Sequence, residues 1–155
     1  MKAEIIILNS KQRKEIRQSL QKQFGISSLP DMVFFCLNSK ERVYVANRSV
    51  FEVEHSSLRV NAFGMYFGTF MVDGFRLSIE GAQMLFDQCT THIHAVDAVK
   101  RKEWFLGNDI SCTADLEPGY YILTFDDLII GVAKKKGDTF MNYLPKSRRL
   151  THLFE

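Results

Sequence analysis

At 155 residues, 46% of them hydrophobic and 25% charged, the chain is long enough for one ordinary core or two small ones packed together, and too apolar to stay disordered. Its longest apolar runs, such as Ile5 to Leu8, fall far short of the ~20 residues of a membrane span, and the N-terminus lacks the apolar core and cleavage site of a secretory leader. Three cysteines, none in a C-x-x-C pair, argue for reduced thiols rather than a disulfide framework, so a soluble, unsecreted, cytoplasmic protein is expected.

The first predicted element is a helix over "SKQRKEIRQSLQKQFG". Ile16, Leu20 and Phe24 recur every four residues, Ser10 is positioned to cap it, and Gly25 can supply the left-handed stop. After "SSLPD", the runs "MVFFCLN" and "RVYVAN" flank the polar turn Ser39-Lys40-Glu41, the pattern of a β-hairpin. Further strands are predicted in "SLRV" and "MYFGTFMV". Within the latter region the Phe-Gly repeat of "FGMYFGTF" suits a bulge or the close approach of a neighbouring element, which is a packing role. "SIEGAQMLFDQC" returns to helical period with Ser78 as N-cap, and Arg76 just before it is expected to pair with an acid where strand gives way to helix.

A boundary is expected near Thr90 or Thr91, giving units of residues 1–91 and 92–155 packed directly together, with no repeat or low-complexity linker between them. The second unit opens with a short strand, "HIHAVD", and a helix, "AVKRKEWFLG", capped by Asp97 and ended by Gly107. Trp104 is assigned to the junction between the halves. "GYYILTF", "LIIGVA" and "RRLTHLF" then read as short strands between turn residues, the pattern of a small antiparallel barrel.

Charge is segregated rather than balanced. The net charge is only +2, but residues 131–150 gather six cations, Lys134, Lys135, Lys136, Lys146, Arg148 and Arg149, against one acid, Asp138. Alternation along an extended segment puts Lys134 and Lys136 on one face and Lys135 on the other. Phe140 and Tyr143 interrupt the cations and offer stacking surfaces for unpaired bases. A solvated loop is the ordinary alternative for such a stretch. Lys100, Arg101 and Lys102, consecutive on a helix, point about 100° apart and make no compact patch, so they read as a solvated face.

No enzymatic constellation emerges. "GVAKKKGD" has the wrong order and context for a phosphate-binding loop, and no Gly-x-Ser-x-Gly elbow is present. His92 and His94 would share a strand face but have no further ligand at metal spacing. No catalytic residue, metal or cofactor is therefore assigned.

The segments "WFLGNDI", "EPGYYILTFDDLIIGVAKKK" and "NYLPKSRRL" resemble a PUA domain, the RNA-binding pseudo-barrel appended to several RNA-modifying enzymes. The last of them is similar to the PUA-like segment of Sun-family RNA cytosine methyltransferases. "LRVNAFGMYFGTF", "FRLSIEGAQML" and "EWFLGNDI" follow the order of the Nip-seven family of ribosome-biogenesis factors, in which an α/β pre-PUA domain precedes the PUA domain. The resemblance implies an α+β fold, an N-terminal α/β pre-PUA domain on a C-terminal PUA-like β-barrel. It also implies non-catalytic RNA binding in rRNA maturation or RNA modification, with rRNA or tRNA bound and ribosome-assembly or RNA-modification proteins as partners. Matching positions assign Lys134, Lys135, Lys136, Lys146, Arg148 and Arg149 to phosphate contact and Tyr143 to stacking. Two other roles fit the same residues: an accessory subunit presenting RNA to a methyltransferase, and an adaptor for an acidic protein partner.

Overall fold

The structure, a computed structural model, describes residues 4–53 and 64–151. Its first half begins with strand β1 (Ile5–Ile7) and helix α1 (Ser10–Phe24). Ile16, Leu20 and Phe24 are all fully buried, as their spacing predicts. The cap lies one residue earlier than expected. Asn9 accepts the Gln12 backbone N–H at 2.9 Å while the Gln12 side chain accepts that of Asn9 at 2.9 Å, a reciprocal box that Ser10 cannot make. Gly25, at φ +75°, ends the helix in the left-handed region.

Strands β2 (Val33–Leu37), β3 (Arg42–Ala46), β4 (Met65–Met71) and β5 (Gly74–Leu77) complete a five-stranded antiparallel sheet in the order β1-β2-β3-β4-β5. The strand expected in "SLRV", residues 57–60, lies outside the described residues. The Phe-Gly repeat has the packing role assigned to it. The register shifts between Val43 and Tyr44 opposite β4, and a Cβ at Gly68 would lie 2.5 Å from the Arg76 carbonyl oxygen. Helix α2 (Ile79–Leu85) follows, with Ser78 Oγ accepting the Gly81 N–H at 2.9 Å.

The second half contains β6 (Ile93–Ala95), helix α3 (Ala98–Phe105) capped by Asp97, β7 (Ile110–Ser111), β8 (Gly119–Phe125), β9 (Leu128–Lys136) and β10 (Thr139–Met141). These strands form a sheet in the order β6-β8-β9-β10-β7, parallel only at β6–β8, which curls into a half-barrel. The fold is thus α+β, as expected. Asp126 and Asp127 close the β8–β9 hairpin at φ +47° and +62°, the positive pair that a tight two-residue turn needs. The strand expected in "RRLTHLF" does not form where it is described. Lys146–Arg148 is a 3-10 turn, held by the Arg148 N–H on the Pro145 carbonyl, and Leu150 is tied by its N–H to the Phe105 carbonyl at 2.7 Å.

Two cores share the β8–β9 hairpin. Tyr120, Ile122 and Val132 face the first half and join α1, α2 and the first sheet in one cluster. Tyr121, Leu123, Ile130 and Ala133 face the barrel and pack with Trp104, Ile110, Phe140 and Leu144. Trp104 is accordingly a barrel-core residue that only borders the junction, correcting its expected place. The β8–β9 register skips Ile130, and the carbonyl of that extra residue accepts the Trp104 indole N–H at 3.0 Å. Gly131 makes room for the ring, since a Cβ there would sit 2.6 Å from it.

Candidate nucleic-acid interface

The basic stretch divides into three environments. Lys134, on the same face as Val132, reaches the first half and pairs with Asp73 at 2.5 Å, and Asp73 also accepts the Tyr120 hydroxyl at 2.9 Å. Lys135 faces the opposite way. Its residue is only 6% exposed and its ammonium donates to the Gly137 carbonyl at 2.7 Å, so the sheet's curl has made it part of the interior. Lys136 is exposed at the β9–β10 turn. The expected alternation therefore holds, but it spends two of the three lysines on structure.

The remaining cations lie on the C-terminal segment. Lys146 is exposed, Arg148 pairs with Glu80 of α2 across the junction, and Arg149 is half-buried with Nε donating to the Leu144 carbonyl at 3.0 Å. Phe140 is fully buried in the barrel and offers no stacking surface. Tyr143 is half-buried, and the Arg76 guanidinium lies over its ring at 4.1 Å. Arg76 thus meets an aromatic face rather than the expected acid. Nothing in a lone arginine on a short strand signals a partner nearly seventy residues away. Glu80 and Asp73, which tie the halves together, are equally silent in the sequence.

Arg76, Glu80, Tyr143 and Arg148 line a cleft of about 410 Å³ between the halves, together with Tyr66 and Ser78. This lies within the ~300–1,000 Å³ of small-ligand sites. The helix triplet does not contribute: Arg101 lies over Phe125 at 4.0 Å and Lys102 is exposed on α3.

Electrostatics at the junction follow from the Asp73 pair. The Lys134 ammonium, and secondarily the Tyr120 hydroxyl, hold the Asp73 carboxyl below its ordinary value of 3.8 against a smaller opposing effect of burial, while burial and Asp73 push the Tyr120 phenol up. A carboxyl depressed in the folded state adds stability that is present above pH 3.8 and is lost as pH falls through the folded value. Asp73→Asn is expected to cost no more than about 1 kcal/mol at neutral pH, because the pair is partly solvated. Urea midpoints measured from neutral pH to pH 2 should show the variant and the parent converging in acid; a constant gap would overturn the assignment.

The histidines are packing residues. His92 lies against Tyr121, with ring centroids 4.5 Å apart, and His94 against Phe140 at 5.2 Å; burial and then Lys100 lower the His94 value. Among the described residues, no three of the His, Cys, Asp and Glu side chains gather as a metal site. No helix among them is long and apolar enough to cross a membrane.

Residues 91–150 match the family described as the PUA domain of the methyltransferase RsmF. The second half is PUA-like. The ribosomal RNA small subunit methyltransferase F proteins of two strains of Vibrio cholerae serotype O1 are each 26% identical to it over 142 residues. That alignment takes in 88% of the chain, so it extends beyond the PUA-like segment into the first half. The chain spans 28% of the length of these relatives. The likeness is to the methyltransferase-associated version of the domain, in line with the resemblance carried by "NYLPKSRRL".

Proposed function

We propose that the chain is a non-catalytic RNA-binding module that acts in the cytoplasm in rRNA maturation or modification and presents RNA to a methyltransferase. The match of residues 91–150 to a methyltransferase PUA domain carries this reading. The relatives' name supplies the RNA class, small-subunit rRNA. Lys136, Lys146 and Arg148, all exposed, are the cations best able to meet phosphate, with Arg149 beside them. Lys134 and Lys135 support that surface from within. Lysines act on phosphate as point charges and arginine as a fork, so the three need no common plane to add their effects.

Binding of a fluorescent single-stranded RNA at several salt concentrations tests this. Three neutralised phosphates predict a slope of log K against log salt near −2, roughly a 20-fold loss between 50 and 200 mM. Lys136→Ala, Lys146→Ala and Arg148→Ala should each flatten the slope by about 0.7 and change stability by less than ~0.5 kcal/mol. Lys135→Ala is the contrasting control, since it removes a charge-assisted bond inside the barrel and should lower stability by ~1–2 kcal/mol. Unaltered binding by the three surface variants, or equal losses on replacing Lys100 and Lys102, would move the interface elsewhere. Binding to an acidic protein but not to RNA would favour the adaptor role.

A further inference from the structure

We propose that the cleft between the halves is a subsite for one unpaired, amino-bearing base of the RNA strand. This rests on the RNA-binding reading and adds a site to it. Three features converge. The Arg76 guanidinium lies over the Tyr143 ring, 4.1 Å from its centroid, so the ring supports a cationic plane, a shelf of the kind on which unpaired bases stack. The shelf borders a cleft of about 410 Å³, room enough for a base and its sugar. At the rim, Glu80 and Arg148 present a carboxylate acceptor and a guanidinium donor side by side.

Ligand chemistry follows from that pair. The Glu80 side chain is 26% exposed and that of Arg148 48% exposed, so this is a partly wet ion pair of the kind that contributes little and opens at small cost. Once open, Arg148 takes the phosphate of the nucleotide, while the Glu80 carboxylate accepts from an exocyclic amino group. Cytosine offers such a donor at N4. Uracil places a carbonyl oxygen at the same position, which the carboxylate repels. The site therefore favours amino-bearing bases over uracil, and both halves of the chain contribute to it.

The test compares 12-mers of cytidine and of uridine, which differ at that edge, by fluorescence anisotropy on the full chain at fixed salt. The cytidine strand should bind roughly 5- to 10-fold more tightly, as one additional hydrogen bond to a charged acceptor implies. Glu80→Gln, whose amide can serve either base, should bring the ratio toward one. Tyr143→Ala should weaken binding of both strands about tenfold and Tyr143→Phe should restore it, with melting temperatures followed to separate binding from folding. Equal binding of the two strands, or a ratio unchanged by Glu80→Gln, overturns the subsite while leaving the salt-dependent interface standing. Failure to bind either strand at low salt overturns both.

Discussion

Trp104→Ala is expected to lower the stability of the chain by about 3–5 kcal/mol, the range for deleting a buried aromatic side chain. The ring is fully buried within the barrel core. Its surroundings cannot collapse into the space, because the residues opposite belong to a sheet whose spacing is fixed by backbone hydrogen bonds. The substitution also leaves the Ile130 carbonyl without its indole donor at the point where β9 breaks register. At this chain length each kcal/mol moves the midpoint by roughly 2–4 °C, so a fall of about 6–20 °C should appear in a thermal melt. Trp104→Phe separates the contributions, since it keeps most of the volume and loses the bond, and should cost about 1–3 kcal/mol. A melting point within a degree or two of the parent for the alanine variant would show that the ring does not organise the core.

Gly81→Ala should destabilise by about 2–3 kcal/mol, the upper part of the usual range for overpacking. Two effects compete. Alanine improves helix propensity by ~1 kcal/mol over glycine, which would stabilise α2 if the position were open. It is closed, because a Cβ there would lie 2.5 Å from the Phe67 carbonyl oxygen, on a core strand that cannot yield as a flexible side chain would. That carbonyl also accepts the Ser78 N–H at 2.9 Å, so moving α2 away strains the helix's own N-terminus. The displacement would carry Glu80 with it and loosen its pair with Arg148. A urea melt more stable than the parent would mean that the propensity gain wins and the contact is relaxed.

The sequence discloses the long elements because their spacing is a physical signal. Ile16, Leu20 and Phe24 mark α1, and the β8–β9 hairpin is marked by its flanking apolar runs and Asp126-Asp127. It does not disclose β1, β7 and β10, of two or three residues each, because so short a strand carries little periodicity, although β6, also of three, is legible in "HIHAVD". The site was legible in composition but not in arrangement. Alternation separates Lys135 from its neighbours, yet only the closing of the sheet decides which face becomes the inside, and that depends on β10 placing Phe140 opposite Lys135. The cleft was beyond reach for a different reason. Its shelf and rim are made by pairs, Arg76 with Tyr143 and Glu80 with Arg148, whose members are far apart in the chain and individually ordinary.

The two-sided β8–β9 hairpin has a bearing on how the chain could be divided or inherited. Tyr120, Ile122 and Val132, no more than 5% exposed in the intact molecule, would be uncovered by cutting the chain near residue 90, and with them one whole face of the hairpin. Exposed apolar faces of that kind invite association. The second half is therefore expected to lose solubility without its neighbour, and transplanting it onto another protein would require apolar cover to travel with it. Because strands of the same hairpin sit in both cores, melting one core removes a wall of the other, and heat should unfold the pair in a single cooperative step.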